Sequence, residues 1–135
     1  MLYPFAELAS GGLFLLAFFL NRDIASSIFM AIALWLLFVI SVIDMRTQTI
    51  SDMLNIPLCI FGIFYSLEIG AFYWGGALVG VGFFGGLWLI SKGKWIGSGD
   101  IILGAGVGFL VGSWQMMIIC MMMTYVIGAT VAVAL

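Results

Sequence analysis

An all-α, polytopic membrane helix bundle, with about six transmembrane helices and one of them short, is the fold class this sequence predicts. Of its 135 residues 65% are hydrophobic and only 7% charged. The mean hydropathy of +1.32 is far outside soluble usage. Four basic and six acidic side chains cannot clothe a water-exposed surface of this size. Apolar runs near the length that crosses a bilayer recur along the chain. The separators between them are too short for barrel strands and turns, and hydrocarbon penalises unpaired backbone, so helices are the expected spanning element.

Six apolar segments follow in order, over residues 4–20, 24–43, 53–67, 72–90, 100–112 and 114–135. The first has neither a basic start nor a small-residue cleavage site, and further spans follow it, so it reads as a retained membrane helix. The second runs from the polar turn Arg22-Asp23 to Asp44. The third carries Pro57 near its start, where a bend would open space beside Asp44, and ends at Glu68. In the fourth, Gly76/Gly80 and Gly82/Gly86 are spaced for close helix packing, as are Gly104, Gly108 and Gly112 in the fifth. That fifth segment should lie centrally. It is also short for a full crossing, so either its helix begins before Asp100 or it spans a thinned region. The methionines of the sixth, Met116, Met117, Met121, Met122 and Met123, read as adaptable packing or lipid-facing residues.

Arg46 follows the second segment, and Lys92 and Lys94 follow the fourth, which predicts that these loops face the cytoplasm, together with both termini. Arg22, beside Asp23, is the one dissenting residue. The net charge is −2 and no basic block is present, which sets nucleic acid aside as a partner. Histidine is absent, and Cys59 and Cys120 stand alone, so neither metal-ligand spacing nor a disulfide framework is visible. No cofactor is implied.

The chemistry must then lie with acids, because ionisable groups at membrane depth are expensive and are functional candidates by default. Asp44 closes one apolar run and Asp100 opens another, and the two intervening spans return the chain to the same membrane face. A carboxyl pair sharing one proton supplies both the base that activates water and the acid that protonates a leaving amine. Helix ends would favour Asp100 as the anion and leave the proton on Asp44, although Arg46 opposes this. Asp100 also reads as an ordinary N-cap. The glycines before it, Gly97 and Gly99, would let another backbone approach. Asp52 reads equally as the N-cap of the third helix, with Ser51 the other capping candidate, and as a contact for a basic group on a substrate. A different reading of the same acids is a non-enzymatic transport or assembly protein that relays protons or holds a cation, or an inactive scaffold.

Gly97-Ser98-Gly99-Asp100, followed by Leu103 and Gly104, resembles the G-x-G-D signature of intramembrane aspartyl peptidases. Asp44, a polar stretch to Asp52, then Leu54, Asn55 and Pro57 are similar to the upstream pattern of the type IV prepilin peptidases. The similarity in helix order extends over residues 24–135. The resemblance implies a single membrane-embedded peptidase domain over 1–135, with Asp44 and Asp100 catalytic and Gly97, Gly99, Asp52 and Arg46 binding substrate or supporting the site. It implies cleavage of prepilin or pseudopilin precursors, after a glycine preceding their hydrophobic segment, at the cytoplasmic face of the inner membrane. Bifunctional relatives add a cytoplasmic domain with paired cysteines that accompanies amino-methylation; this sequence resembles the short, peptidase-only form. Ser51 stands where the family often has Pro, and Ile102 where many members have Lys. A Pro-Phe-Gly-Pro pattern near the end is missing, which predicts a C-terminal part truncated relative to the family.

Overall fold

The computed structural model of the protein describes residues 3–47, 52–70 and 74–134. Among the described residues six helices follow one another: α1 (Tyr3–Leu20), α2 (Ile24–Thr47), α3 (Asp52–Glu68), α4 (Trp74–Ser91), α5 (Ser98–Val111) and α6 (Trp114–Ala134). The predicted start of the fourth segment at Phe72, the capping candidate Ser51 and the terminal Leu135 lie outside the described residues. Among the described residues, α2 and α4 are long and apolar enough to cross a membrane by length and composition, and shorter apolar stretches lie in α1, α5 and α6.

Backbone chemistry explains where the helices stop. At the start of α2 the Asp23 carbonyl accepts the Ser27 N–H at 3.0 Å and both serine hydroxyls, from Ser26 at 3.0 Å and Ser27 at 2.7 Å. The end of α4 is a Schellman turn, in which Gly93 N–H donates to the Trp88 carbonyl at 2.9 Å and Lys92 N–H to Leu89 at 3.3 Å. Lys92 adopts φ 51° there, a conformation that usually selects glycine. Gly112, at φ 83°, closes α5, and its carbonyl accepts the Gly76 N–H at 3.1 Å, tying the start of α4 to the end of α5.

α5 lies between α3 and α4, as its glycine spacing predicts, and backbone proximity rather than bulky side chains holds it there. On one face, a Cβ added to Gly108 would stand 2.5 Å from the Ca and N atoms of Ala77, and one on Gly80 would overlap the Gly104 carbonyl. On the other, a Cβ on Gly106 would meet Leu58 at 3.2 Å, and one on Gly62 would meet the Gly106 carbonyl oxygen at 2.9 Å. Residues 104 and 106 are about 200° apart around a helix, so each glycine pair serves a different neighbour.

Gly82 and Gly86 depart from expectation. Neither has any atom within 4 Å of an added Cβ. Gly82 is about 200° around α4 from Gly80, so the same helix cannot present both pairs to α5. Because the space is open, Gly82→Ala and Gly86→Ala should gain helix propensity without a clash. Thermal unfolding in detergent is expected to show each variant equal to the parent or more stable by about 0.4–1 kcal/mol.

The buried core is small. Ala33, Leu36 and Ile40 of α2 pack with Leu58 of α3, and Leu103 and Leu110 of α5 close over them. Met117 is buried, whereas Met116, Met122 and Met123 are exposed. The accessible area is 9063 Å², against about 6,900 Å² for a compact soluble monomer of this mass. The excess is apolar: Phe14, Phe19, Trp35, Phe64, Leu78, Leu89 and Ile127 all point outward. Such a surface suits lipid and not water.

Candidate active site

Three contacts fix which helix ends meet. Tyr65, late in α3, donates its hydroxyl to Asn21 Oδ1 at 3.0 Å, so the end of α3 lies beside the α1–α2 turn. The bond from Gly76 to Gly112 joins the start of α4 to the end of α5. At the opposite end, Asn55 Nδ2, early in α3, donates to the Gly99 carbonyl at 2.8 Å. The end of α2, the start of α3, the α4–α5 loop and the start of α5 therefore share one end of the bundle. Asp44, Arg46, Asp52, Lys92, Lys94 and Asp100 all belong to that end. Glu68, Arg22 and Asp23 belong to the other.

Asp100 is the third residue of α5, whose helix begins before the acid, at Ser98; its 14 residues remain short of a full crossing. Its Oδ2 accepts the Gly97 N–H at 3.1 Å. This is half of a capping box; the reciprocal half is absent because Gly97, at the N-cap position, has no side chain. The ordinary N-cap reading of Asp100 is corrected accordingly: the helix starts earlier, and the acid reaches back to its N-cap. A carboxylate in a first helical turn also gains from the helix dipole, typically ~0.3–1 kcal/mol.

Asp44 lies in the last turn of α2 and is exposed, whereas Asp100 is half-buried. The two acids stand at the same end of the bundle, on the last turn of α2 and the first turn of α5. The acids rise from a common apolar floor: Ile40, one turn before Asp44, and Leu58 are buried together, and Leu103, one turn after Asp100, packs against them.

The remaining predicted residues are distributed unevenly. Gly97 is exposed, and the nearest atom to an added Cβ, at 3.9 Å, is Asp100's own Oδ2. Gly99 is instead buried, its carbonyl turned to Asn55, so of the two glycines only Gly97 is open to an approaching backbone. Asp52 opens α3 and Arg46 stands in the last turn of α2; both are exposed, and neither bonds to Asp44 or Asp100 among the described residues. Pro57 sits inside α3. Cys59 and Cys120 are free thiols. Sequence reasoning matched Asn55 to a motif position but gave it no task, although a lone amide in an apolar helix was a usable signal.

Known proteins are similar to most of this sequence. A family model described as the type IV leader peptidase family matches residues 31–133, which include Asp44, Asn55 and Asp100. The prepilin leader peptidase/N-methyltransferase of Klebsiella pneumoniae is 34% identical over 122 residues, covering 84% of this chain and 53% of that protein. The chain thus spans about half the length of the relative it matches. No solved structure resembles it closely enough to count as a match. With the family match extending over most of the sequence and through both aspartates, the chain belongs to the type IV leader peptidase family.

Proposed function

We propose that the protein is an intramembrane aspartyl endopeptidase that removes the leader of type IV prepilin-like precursors, with Asp44 and Asp100 as its catalytic pair. The observation that carries this reading is the placement of two carboxylates, one on the last turn of α2 and one on the first turn of α5, at the end of the bundle where Asn55 bonds the Gly99 carbonyl. One carboxylate takes a proton from water as the oxygen attacks the scissile carbonyl. The protonated partner then donates to the leaving amine, and the pair finishes with its single proton restored. The Gly97 N–H holds one oxygen of Asp100, which fixes the rotamer and leaves the other oxygen for the reaction.

Arg46 and Asp52, exposed around the pair, are proposed to contact the polar leader, and Gly97 gives the scissile backbone room to approach. The basic residues of this end, Arg46, Lys92 and Lys94, favour the cytoplasmic side of the inner membrane for the site. The precursor's hydrophobic segment would then stay in lipid while its leader enters from the aqueous face. The test is co-expression with a prepilin in cells lacking their own leader peptidase. Mass spectrometry is expected to find a shortened product beginning at the residue after the leader glycine. A membrane-inserted, folded protein that leaves every such precursor intact would overturn the proposal.

A further inference from the structure

Asn55 is completely buried, yet it lies in a helix whose neighbouring buried positions are apolar or glycine. Its Nδ2 donates to the Gly99 carbonyl at 2.8 Å, which fixes the amide's orientation, since only its nitrogen can donate. Its Oδ1 is buried without a partner among the described residues. Burying an amide with one end unsatisfied costs stability, whereas a leucine of similar size would fill the same space without that penalty. Packing therefore does not account for the amide. What it does is clamp the residue immediately before Asp100.

We infer that Asn55 is a positioning residue, whose amide anchors the Gly97–Asp100 turn through the Gly99 carbonyl and so sets where the Asp100 carboxyl stands relative to Asp44. As an inference about catalysis it rests on the proposed peptidase reading. Two attachments then hold the turn: the Gly97 N–H grips the Asp100 carboxylate from within the turn, and Asn55 grips its backbone from α3. Without the second, the first can move as a unit with α5's first turn, and a displacement near 1 Å can cost about 100-fold in rate.

The experiment compares Asn55→Leu with Met117→Ala, which opens a cavity between α6 and α4, away from the acids, and leaves the amide intact. For Asn55→Leu the unfolding temperature should match or exceed the parent's, kcat should fall about 10- to 100-fold, and KM should stay within about twofold. Amide hydrogen exchange should quicken at residues 97–100 and not in α4 or α6. Met117→Ala should do the reverse, lowering the unfolding temperature while leaving kcat of the folded protein unchanged. Exchange at 97–100 unaltered by Asn55→Leu, or a fall in kcat that is matched by a fall in unfolding temperature, would overturn the inference. Asn55→Ala provides a second removal of the donor should leucine prevent folding, and exchange at 97–100 must rise there too. A parent protein that cleaves no precursor would defeat the peptidase reading alone, because exchange still decides whether Asn55 anchors the turn.

Discussion

Asp44→Asn and Asp100→Asn, made singly, are each expected to reduce precursor processing by about 10³-fold or more, to below detection in cells, while the protein remains folded in the membrane. General acid–base catalysis contributes ~10²–10⁴-fold. Members of a catalytic unit are not additive, so losing either acid forfeits nearly all of the pair's contribution. The substitutions are close in shape, and asparagine at 100 retains an oxygen to accept the Gly97 N–H, so folding should be spared. Glu68→Gln, at the opposite end of the bundle, changes the charge by the same amount and should leave processing intact. Quantitative immunoblotting of precursor and product, normalised to membrane-inserted protein, reads all three. Full processing by both aspartate variants would remove the catalytic pair from the account and favour proton or cation handling.

The second large effect is expected at the α4–α5 contact. A Cβ on Gly108 would lie 2.5 Å from backbone atoms of Gly76 and Ala77. No side chain can yield there; the helices must separate. Overpacking costs ~1–3 kcal/mol and occasionally more, while replacing glycine by alanine returns about 1 kcal/mol of helix propensity. The clash should win for Gly108→Ala and win by a wide margin for Gly108→Val. At Gly104 the nearest atom is Phe84 Cδ2, at 2.6 Å, on a side chain that can rotate, so Gly104→Ala should cost less. The expected order of unfolding temperatures in detergent is Gly82→Ala, then Gly104→Ala, then Gly108→Ala, with Gly108→Val lowest. Equal effects at all four would mean that α4 and α5 do not pack through this face.

Much of this architecture was legible because lipid imposes a simple rule: apolar runs become helices, and the segments drawn from hydropathy coincide with the observed helices to within a few residues. The glycine spacing also foretold the central position of α5, since Gly104 and Gly108 mark one face at an interval of a single turn. Spacing alone could not separate Gly76/Gly80, which meets α5, from Gly82/Gly86, which meets nothing. Both intervals are the same, and only the direction of the neighbour distinguishes them. The start of α5 was ambiguous because Ser98 and Gly99 carry little helical preference; the bond from Gly97 to Asp100 and the Asn55 clamp, both non-local to the apolar pattern, decide it. The two acids drew attention because charge at membrane depth is conspicuous, whereas Asn55, uncharged and single, did not.

Convergence of positions 44 and 100 is the physical premise beneath all of this, and paired-cysteine cross-linking in native membranes tests it most directly. With Cys59 and Cys120 replaced by alanine, Asp44→Cys combined with Asp100→Cys should be joined rapidly by a short bifunctional thiol reagent, and Asp44→Cys combined with Glu68→Cys should not. No link between 44 and 100, or an equally fast link between 44 and 68, would contradict the shared site.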